Sequence, residues 1–238
     1  MRSTAGFTII ELLWSTAITL GVTAAILGLS LRAQGTFQAQ PEVSDMHQRL
    51  RVGIDALVKD LLMAGAGLPP GTVAPVTPAR AGDADLGILY RADAISMLYV
   101  PWAAMTPASH TYYLDRDLTT NTPQLRYSDG AETDLPLVDH VVGLEFEYFD
   151  GDGAPLDPAS LQDGPWVPDD PEVTTFDADL LRIRRVRVRL RVEAGLASMR
   201  GPSGALFTRG GTATAMERYV PDREIQFDVA PRNMNRDR

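Results

Sequence analysis

Gly6-Phe7-Thr8-Ile9-Ile10-Glu11-Leu12-Leu13 opens a run of 25 residues, Phe7 to Leu31, in which Glu11 is the only ionisable side chain. About 20 apolar residues in a helix span the ~30 Å hydrocarbon core of a bilayer, so the run is long enough to cross one. A carboxylate inside hydrocarbon is costly unless it is paired, and by default it marks a functional position. The alternative is a static anchor in which Glu11 only snorkels to the interface. A cleaved secretory signal fits less well. Arg2 is the sole charge ahead of the run, and 7–15 apolar residues are the usual length of such a signal's core. Ser30 and Ala33 offer only a loose small-x-small cleavage site.

The phrase Gly6-Phe7-Thr8-Ile9-Ile10-Glu11-Leu12-Leu13 resembles the class III signal of type IV pilins and pseudopilins. The resemblance implies a prepilin peptidase that cuts after Gly6, leaving Phe7 as a methylated N-terminal residue and Glu11 as the assembly acid. Elementary electrostatics agrees with those roles. A new ammonium group on Phe7 within a bundle of helices could be neutralised by Glu11 of a neighbouring subunit, and a misregistered subunit would leave both charges bare.

The chain has 238 residues, and loss of the six leader residues would leave 232, enough for one substantial core. Net charge is -9, or -10 without Arg2, which argues against a nucleic-acid partner. There are no cysteines, so disulfides and cysteine-based metal or redox motifs are excluded. Arg2 gives a weak positive-inside signal for a cytoplasmic N-terminus, countered by Arg32 at the far end. The orientation, with the head in the periplasm and the helix in the inner membrane, therefore comes from the resemblance.

Beyond the span the helical pattern continues. Met46, Leu50, Ile54, Leu57 or Val58, and Leu61 recur every three to four residues, the spacing of an amphipathic helix. Gln48, Arg49, Arg51, Asp55, Lys59 and Asp60 fill the polar positions between them. Pro41 is expected to kink the helix or divide it near Gln40, and Gly65, Gly67, Pro69 and Pro70 to end it. Gly21 and Gly28 lower helix propensity but form no GxxxG pair. The end of this segment, through Asp60-Leu61-Leu62-Met63-Ala64-Gly65, is similar to the helix end of PilW-like minor pilins. The J-type pseudopilin of type II secretion shares the general plan.

From Leu86 the chain reads as strands and loops. Leu86 to Tyr90, Ile95 to Val100, Thr111 to Leu114 and Gln124 to Tyr127 are short candidates. Val141 to Phe149 is stronger, and Asp150-Gly151-Asp152-Gly153 supplies a turn after it. Ile183 to Val192 is the clearest strand, with Val186, Val188, Leu190 and Val192 alternating with Arg185, Arg187, Arg189 and Arg191. Glu224 to Val229 would complete the sheet. Gly65 to Gly82 and Gly151 to Pro171 read as surface loops, with Trp102 and Trp166 either anchoring contacts to neighbours or covering the core, and the tail from Asn233 to Arg238 as frayed. The fold class expected is α+β, a long N-terminal helix packed on an antiparallel sheet head. The phrases Leu144 to Asp150 and Pro231-Arg232-Asn233 resemble PilW-family head sequence. The expected organisation is a leader over 1–6, a transmembrane half-helix over 7–31, an amphipathic half over 32–65 and a head over 66–238.

The head offers no catalytic constellation. His47, His110 and His140 are scattered, and neither HExxH nor GxSxG occurs. The arginines at 182, 184, 185, 187, 189 and 191 lack the interleaved aromatics of a nucleic-acid platform. They are expected to face Glu145, Glu147 or other acids across the sheet or a subunit boundary. Counted from Asp150 as an EF-hand loop, positions five and six hold Ala154 and Pro155, so that motif fails, and a tight turn is preferred to another calcium site. No catalytic residue, metal or cofactor is expected.

The resemblance implies a PilW-like minor pilin. Its partners would be other pilins through the N-terminal helix, a prepilin peptidase, an inner-membrane assembly platform and membrane lipid. A J-type pseudopilin and a non-polymerising, membrane-anchored binding module are the alternatives. Gene neighbours separate the first two, and tolerance of Glu11→Ala marks the third.

Overall fold

The computed structural model describes residues 8–78, 91–102, 104–130, 134–167, 175–213 and 219–234, without the side chains of 31–36 and 38. One helix, α1, runs over Ile9–Met63, 55 residues or roughly 80 Å at 1.5 Å per residue. Thr8 caps it, its Oγ1 accepting from the Glu11 amide at 3.3 Å. The helix passes through Pro41 without dividing there, contrary to one of the two outcomes expected of that residue. Pro41 is exposed, where loss of one helical hydrogen bond is least costly. At the other end Ala64 donates to the Asp60 carbonyl, and Gly65 turns the chain at φ 81. That left-handed conformation is what glycine permits after a helix.

The head is a pair of antiparallel sheets. The first is a five-stranded meander, in the order β1 (Val76–Pro78), β2 (Ala94–Tyr99), β3 (Ala108–Arg116), β4 (Pro123–Ser128) and β5 (Asp134–Asp139). The second has β6 (Val141–Phe149), β7 (Pro155–Leu156), β10 (Arg185–Val192) and β11 (Arg223–Val229) in the order β11-β10-β6-β7. A small hairpin, β8 (Trp166–Val167) with β9 (Phe176–Asp177), stands apart. The α+β class and the helix-on-sheet packing are as expected. Val141 to Phe149 forms β6 with those bounds, and β10 alternates as read, with Val186, Val188, Leu190 and Val192 fully buried.

The lower half of α1 lies across both sheets, touching β2 and β5 of one and β10 and β11 of the other. Met46, Leu50, Leu57 and Leu61 are buried among Met97, Leu125, Phe146 and Leu190. Gly53 sits where a Cβ would come 2.9 Å from Leu190 Cδ2, so the missing side chain lets the helix approach β10 closely. Burying a Leu-sized side chain stabilises by about 1.5–3 kcal/mol, so this stripe is the main attachment of helix to head.

Several expectations need correction. β1, β7 and β8 occupy parts of the two stretches read as loops, and β5 had no sequence signal. The tail does not fray from Asn233. Residues Arg232–Met234 form a short helical turn, Met234 is buried, and Asn233 Nδ2 donates to the Leu62 carbonyl at 3.4 Å. The strand expected over Leu86 to Tyr90, residues 168–171 of the second expected loop and the remainder of the tail lie outside the described residues.

Candidate assembly site on the N-terminal helix

Ile9–Ser30 has a mean hydropathy of 1.8, none of it covered by the head. It is long and apolar enough to cross a membrane. Ile9, Ile10, Leu12, Leu13 and Trp14 around Glu11 are each more than half exposed. The hydroxyls in the span bond back within the helix: Thr16 donates to the Leu12 carbonyl at 2.8 Å, and Thr19 and Thr23 donate to Ser15 and Thr19 carbonyls at 2.7 Å. Such bonds remove the polar groups that lipid would leave unsatisfied. Glu11 is different. It lies in the first helical turn, where a negative charge suits the helix dipole, but among the described residues its carboxylate has no ion-pair partner. Gly6 and Phe7, the other two residues singled out in the sequence, lie outside the described residues.

The helix carries this segment on a head to which it is bolted by two buried polar clusters. Sequence reading missed both. At the first, Asp60 is 4% exposed in the contact face of α1. Its Oδ2 accepts from Tyr112 Oη at 2.7 Å and lies 2.8 Å from His110 Nδ1, while Tyr99 Oη donates to Oδ1 at 3.3 Å. Tyr127 Oη is 3.2 Å from the same His110 nitrogen. Strands β2, β3 and β4 thus each contribute to one cluster beneath the helix. Burial, followed by the Asp60 charge, pushes Tyr99 up to about 12, and burial with the Asp60 hydrogen bond raises Tyr112 further. Both phenols stay neutral donors. The signal for Asp60 was its spacing. It falls seven residues after Gly53 and three after Leu57, on the buried stripe rather than the polar face.

Replacing Asp60 with alanine is expected to strand these donors and to destabilise the head by about 2–3 kcal/mol. Urea unfolding of the variant should show a lower midpoint at an unchanged slope.

The second cluster surrounds Glu193, which is fully buried just past β10. Arg200 Nη1 donates to its Oε2 at 2.6 Å and Arg209 Nε to both oxygens at 2.9 Å. His140, held at φ 60 in the turn between β5 and β6, places Nδ1 3.4 Å from Oε1. From α1, Arg49 donates to the Glu193 carbonyl at 3.4 Å and pairs with Glu42 and Asp45, and Glu42 accepts from the Gly195 amide. Three acids and three arginines thereby tie α1 to the end of β10. Burial alone would raise the Glu193 carboxyl. The hydrogen bonds from His140 and Arg209 and the charges of Arg200 and Arg209 outweigh it and hold the group at about 2. His110 and His140 are thus not stray residues. Each serves one cluster, whereas His47 is exposed on the helix.

The outer face of the second sheet is ionic, as the alternation on β10 suggested. Arg189 pairs with Glu145 and with Glu147 at 3.2 Å, and Arg187 with Glu147 at 3.2 Å and Asp228 at 2.9 Å. Arg185 reaches Asp228 at 3.2 Å and Arg191 reaches Asp222 at 3.1 Å. Exposed cross-strand pairs of this kind contribute ~0.2–1 kcal/mol each, so the row sets register more than stability. The Asp150-Gly151-Asp152-Gly153 segment is a turn, with Asp150 Oδ1 accepting from the Asp152 amide at 3.0 Å and the Ala154 amide at 2.8 Å.

No family model matches the chain, and no curated protein does. One solved structure to which it is similar is a type IV-like pilin from Thermus thermophilus, at 12% identity and a TM-score of 0.41, over 79% of this chain and 97% of that one.

Proposed function

We propose that this chain is a minor, PilW-like structural subunit of a type IV pilus. It would be made with a leader over 1–6, anchored through 7–31 in the inner membrane with its head in the periplasm, and built into a filament by helix packing, without catalysis. The observation that carries the reading is the placement of Glu11. An acid with no ion-pair partner among the described residues stands near the start of an uncovered span of 22 residues, Ile9–Ser30, with a mean hydropathy of 1.8. It lies five positions after Gly6, the glycine before the expected cut. An uncovered apolar helix of this length needs either lipid or other helices around it. A lone acid in it needs a cation, and the ammonium group of a processed Phe7 on a neighbouring subunit supplies one.

The two polar clusters support the same reading from the other end of the helix. A subunit pulled out of a bilayer by its helix transmits load to its head, and the clusters at Asp60 and Glu193 add directional fastenings to the apolar stripe that joins the two. The Asp60–His110 pair has a charge-relay look. Among the described residues, however, the groups bonded to it are tyrosine hydroxyls under the helix, which suit fastening rather than nucleophilic attack.

The test is intact-mass and N-terminal analysis of the protein purified from its native membranes. A chain that begins at N-methylated Phe7 is expected. One that still begins at Met1, or is cut beyond Leu31, would remove the filament reading and leave a plain anchor or an exported head.

A further inference from the structure

The hydroxyl-bearing outer face of β1–β3 faces an apolar wall across a cleft. In the first sheet Thr77 pairs with Ser96, Ser96 with Thr111 and Leu98 with Ser109, so these side chains share one face. Their chain neighbours Val76, Ile95 and Met97 are fully buried on the other. Against that face stand Leu161, Trp166, Phe176 and Leu180, and the space between measures about 390 Å³. Sites for small molecules run from about 300 to 1,000 Å³. The cleft adjoins the helix end remote from the apolar span, since Leu98 in its wall accepts from the Gly65 amide at 2.9 Å.

Three observations define what fits. First, the described residues of the cleft present no free charge. None of the described residues lining it is a lysine, arginine or histidine. Its one acid, Asp177, is 1% exposed and spends its two oxygens on the Gly164 amide at 2.7 Å and the Asp179 amide at 2.8 Å. Second, the amide nitrogen of Gln162 is buried in this wall without an acceptor among the described residues. A buried donor left bare is a standing cost that an arriving acceptor removes. Third, Trp166 is 43% exposed, so much of its surface is open to solvent.

We propose that this cleft binds the end of an uncharged glycan. A sugar ring has an apolar face of C–H groups that can lie on Trp166 and Phe176, and an edge of hydroxyls that can meet Gln162, Ser109 and Thr77. A phosphorylated or acidic ligand would find no cation among the described lining residues. A wholly apolar ligand would desolvate the hydroxyl row and the Gln162 amide without replacing their hydrogen bonds. Binding in this cleft is independent of whether the chain polymerises.

The test uses the full chain in micelles of a sugar-free detergent, with Trp14→Phe and Trp102→Phe so that emission reports Trp166. The probes are the methyl glycosides of glucose, galactose, mannose and N-acetylglucosamine. At least one is expected to give a saturable change at millimolar concentration. Gln162→Leu should weaken it about tenfold, the loss of one well-placed hydrogen bond. Ser109→Ala, at a partly exposed position that leaves the core untouched, should weaken it in the same direction. Absence of a saturable change with all four probes overturns the proposal. So does a response that both variants leave intact, or one given only by a neutral apolar dye and strengthened by Gln162→Leu.

Discussion

Glu193→Ala is expected to lower the stability of the head by about 3–5 kcal/mol, the usual consequence of removing one member of a buried ion cluster. Arg200 is 7% exposed and is left as a buried cation, while His140 loses its contact with the carboxylate and Arg209 keeps only the Asn121 carbonyl at 3.3 Å. Against a total of roughly 5–15 kcal/mol for a folded domain, that is a large fraction. For a domain of this size it corresponds to about a 10 °C fall in Tm. The pH dependence follows from the same geometry. The Glu193 carboxyl titrates at about 2 in the folded protein against 4.5 for an ordinary glutamate. A group whose folded value is depressed contributes stability above its unfolded value and loses it as pH falls through the folded one. The protein should therefore lose up to about 3 kcal/mol between pH ~5 and pH ~2 from this residue alone. Glu193→Gln should flatten that part of the profile while unfolding more easily at neutral pH. Thermal melts followed by circular dichroism across this range decide the matter. A variant that melts with the parent would show that Arg200 and Arg209 find other partners.

Glu11→Ala is expected to separate anchoring from assembly. Alanine removes the only charge in the apolar run, so the segment becomes a better membrane span. If the glutamate merely tolerated the bilayer, the variant would behave as the parent or better. If it pairs with the ammonium of a neighbouring subunit, that ammonium is left unpaired within the helix bundle, and incorporation fails although the membrane pool remains full. Immunoblots of sheared filaments and of membranes give the two quantities side by side. Expected are an undiminished membrane band and a lost filament band. Equal incorporation of variant and parent would favour a membrane-anchored module that never polymerises.

The parts of the fold that were legible are those whose pattern is local. β6 and β10 have one buried face each, so period-two alternation showed them directly. Strand β5 hid because Pro136 interrupts it and most of its residues are exposed, leaving no alternation to see. β1, with three residues, is too short to have a period. Pro41 suggested a possible break because propensity counts one residue at a time, whereas the helix runs on through it into a stripe held by the head.

The apolar N-terminal span with its single acid, the amphipathic half of the helix, the α+β class and the charged face of β10 were all legible in the order of residues alone. All of these follow from hydrophobic periodicity over neighbouring residues. Which charges are fastenings emerged from the folded arrangement. Arg49, Asp60, Glu193 and His110 look like ordinary surface residues in one dimension. Their roles depend on which strands pack beneath the helix, how deeply each is desolvated and which distant donor arrives within 3 Å. The energy of a charge is set by that surrounding; spacing could place Asp60 on the buried stripe, but not name the partners that satisfy it there.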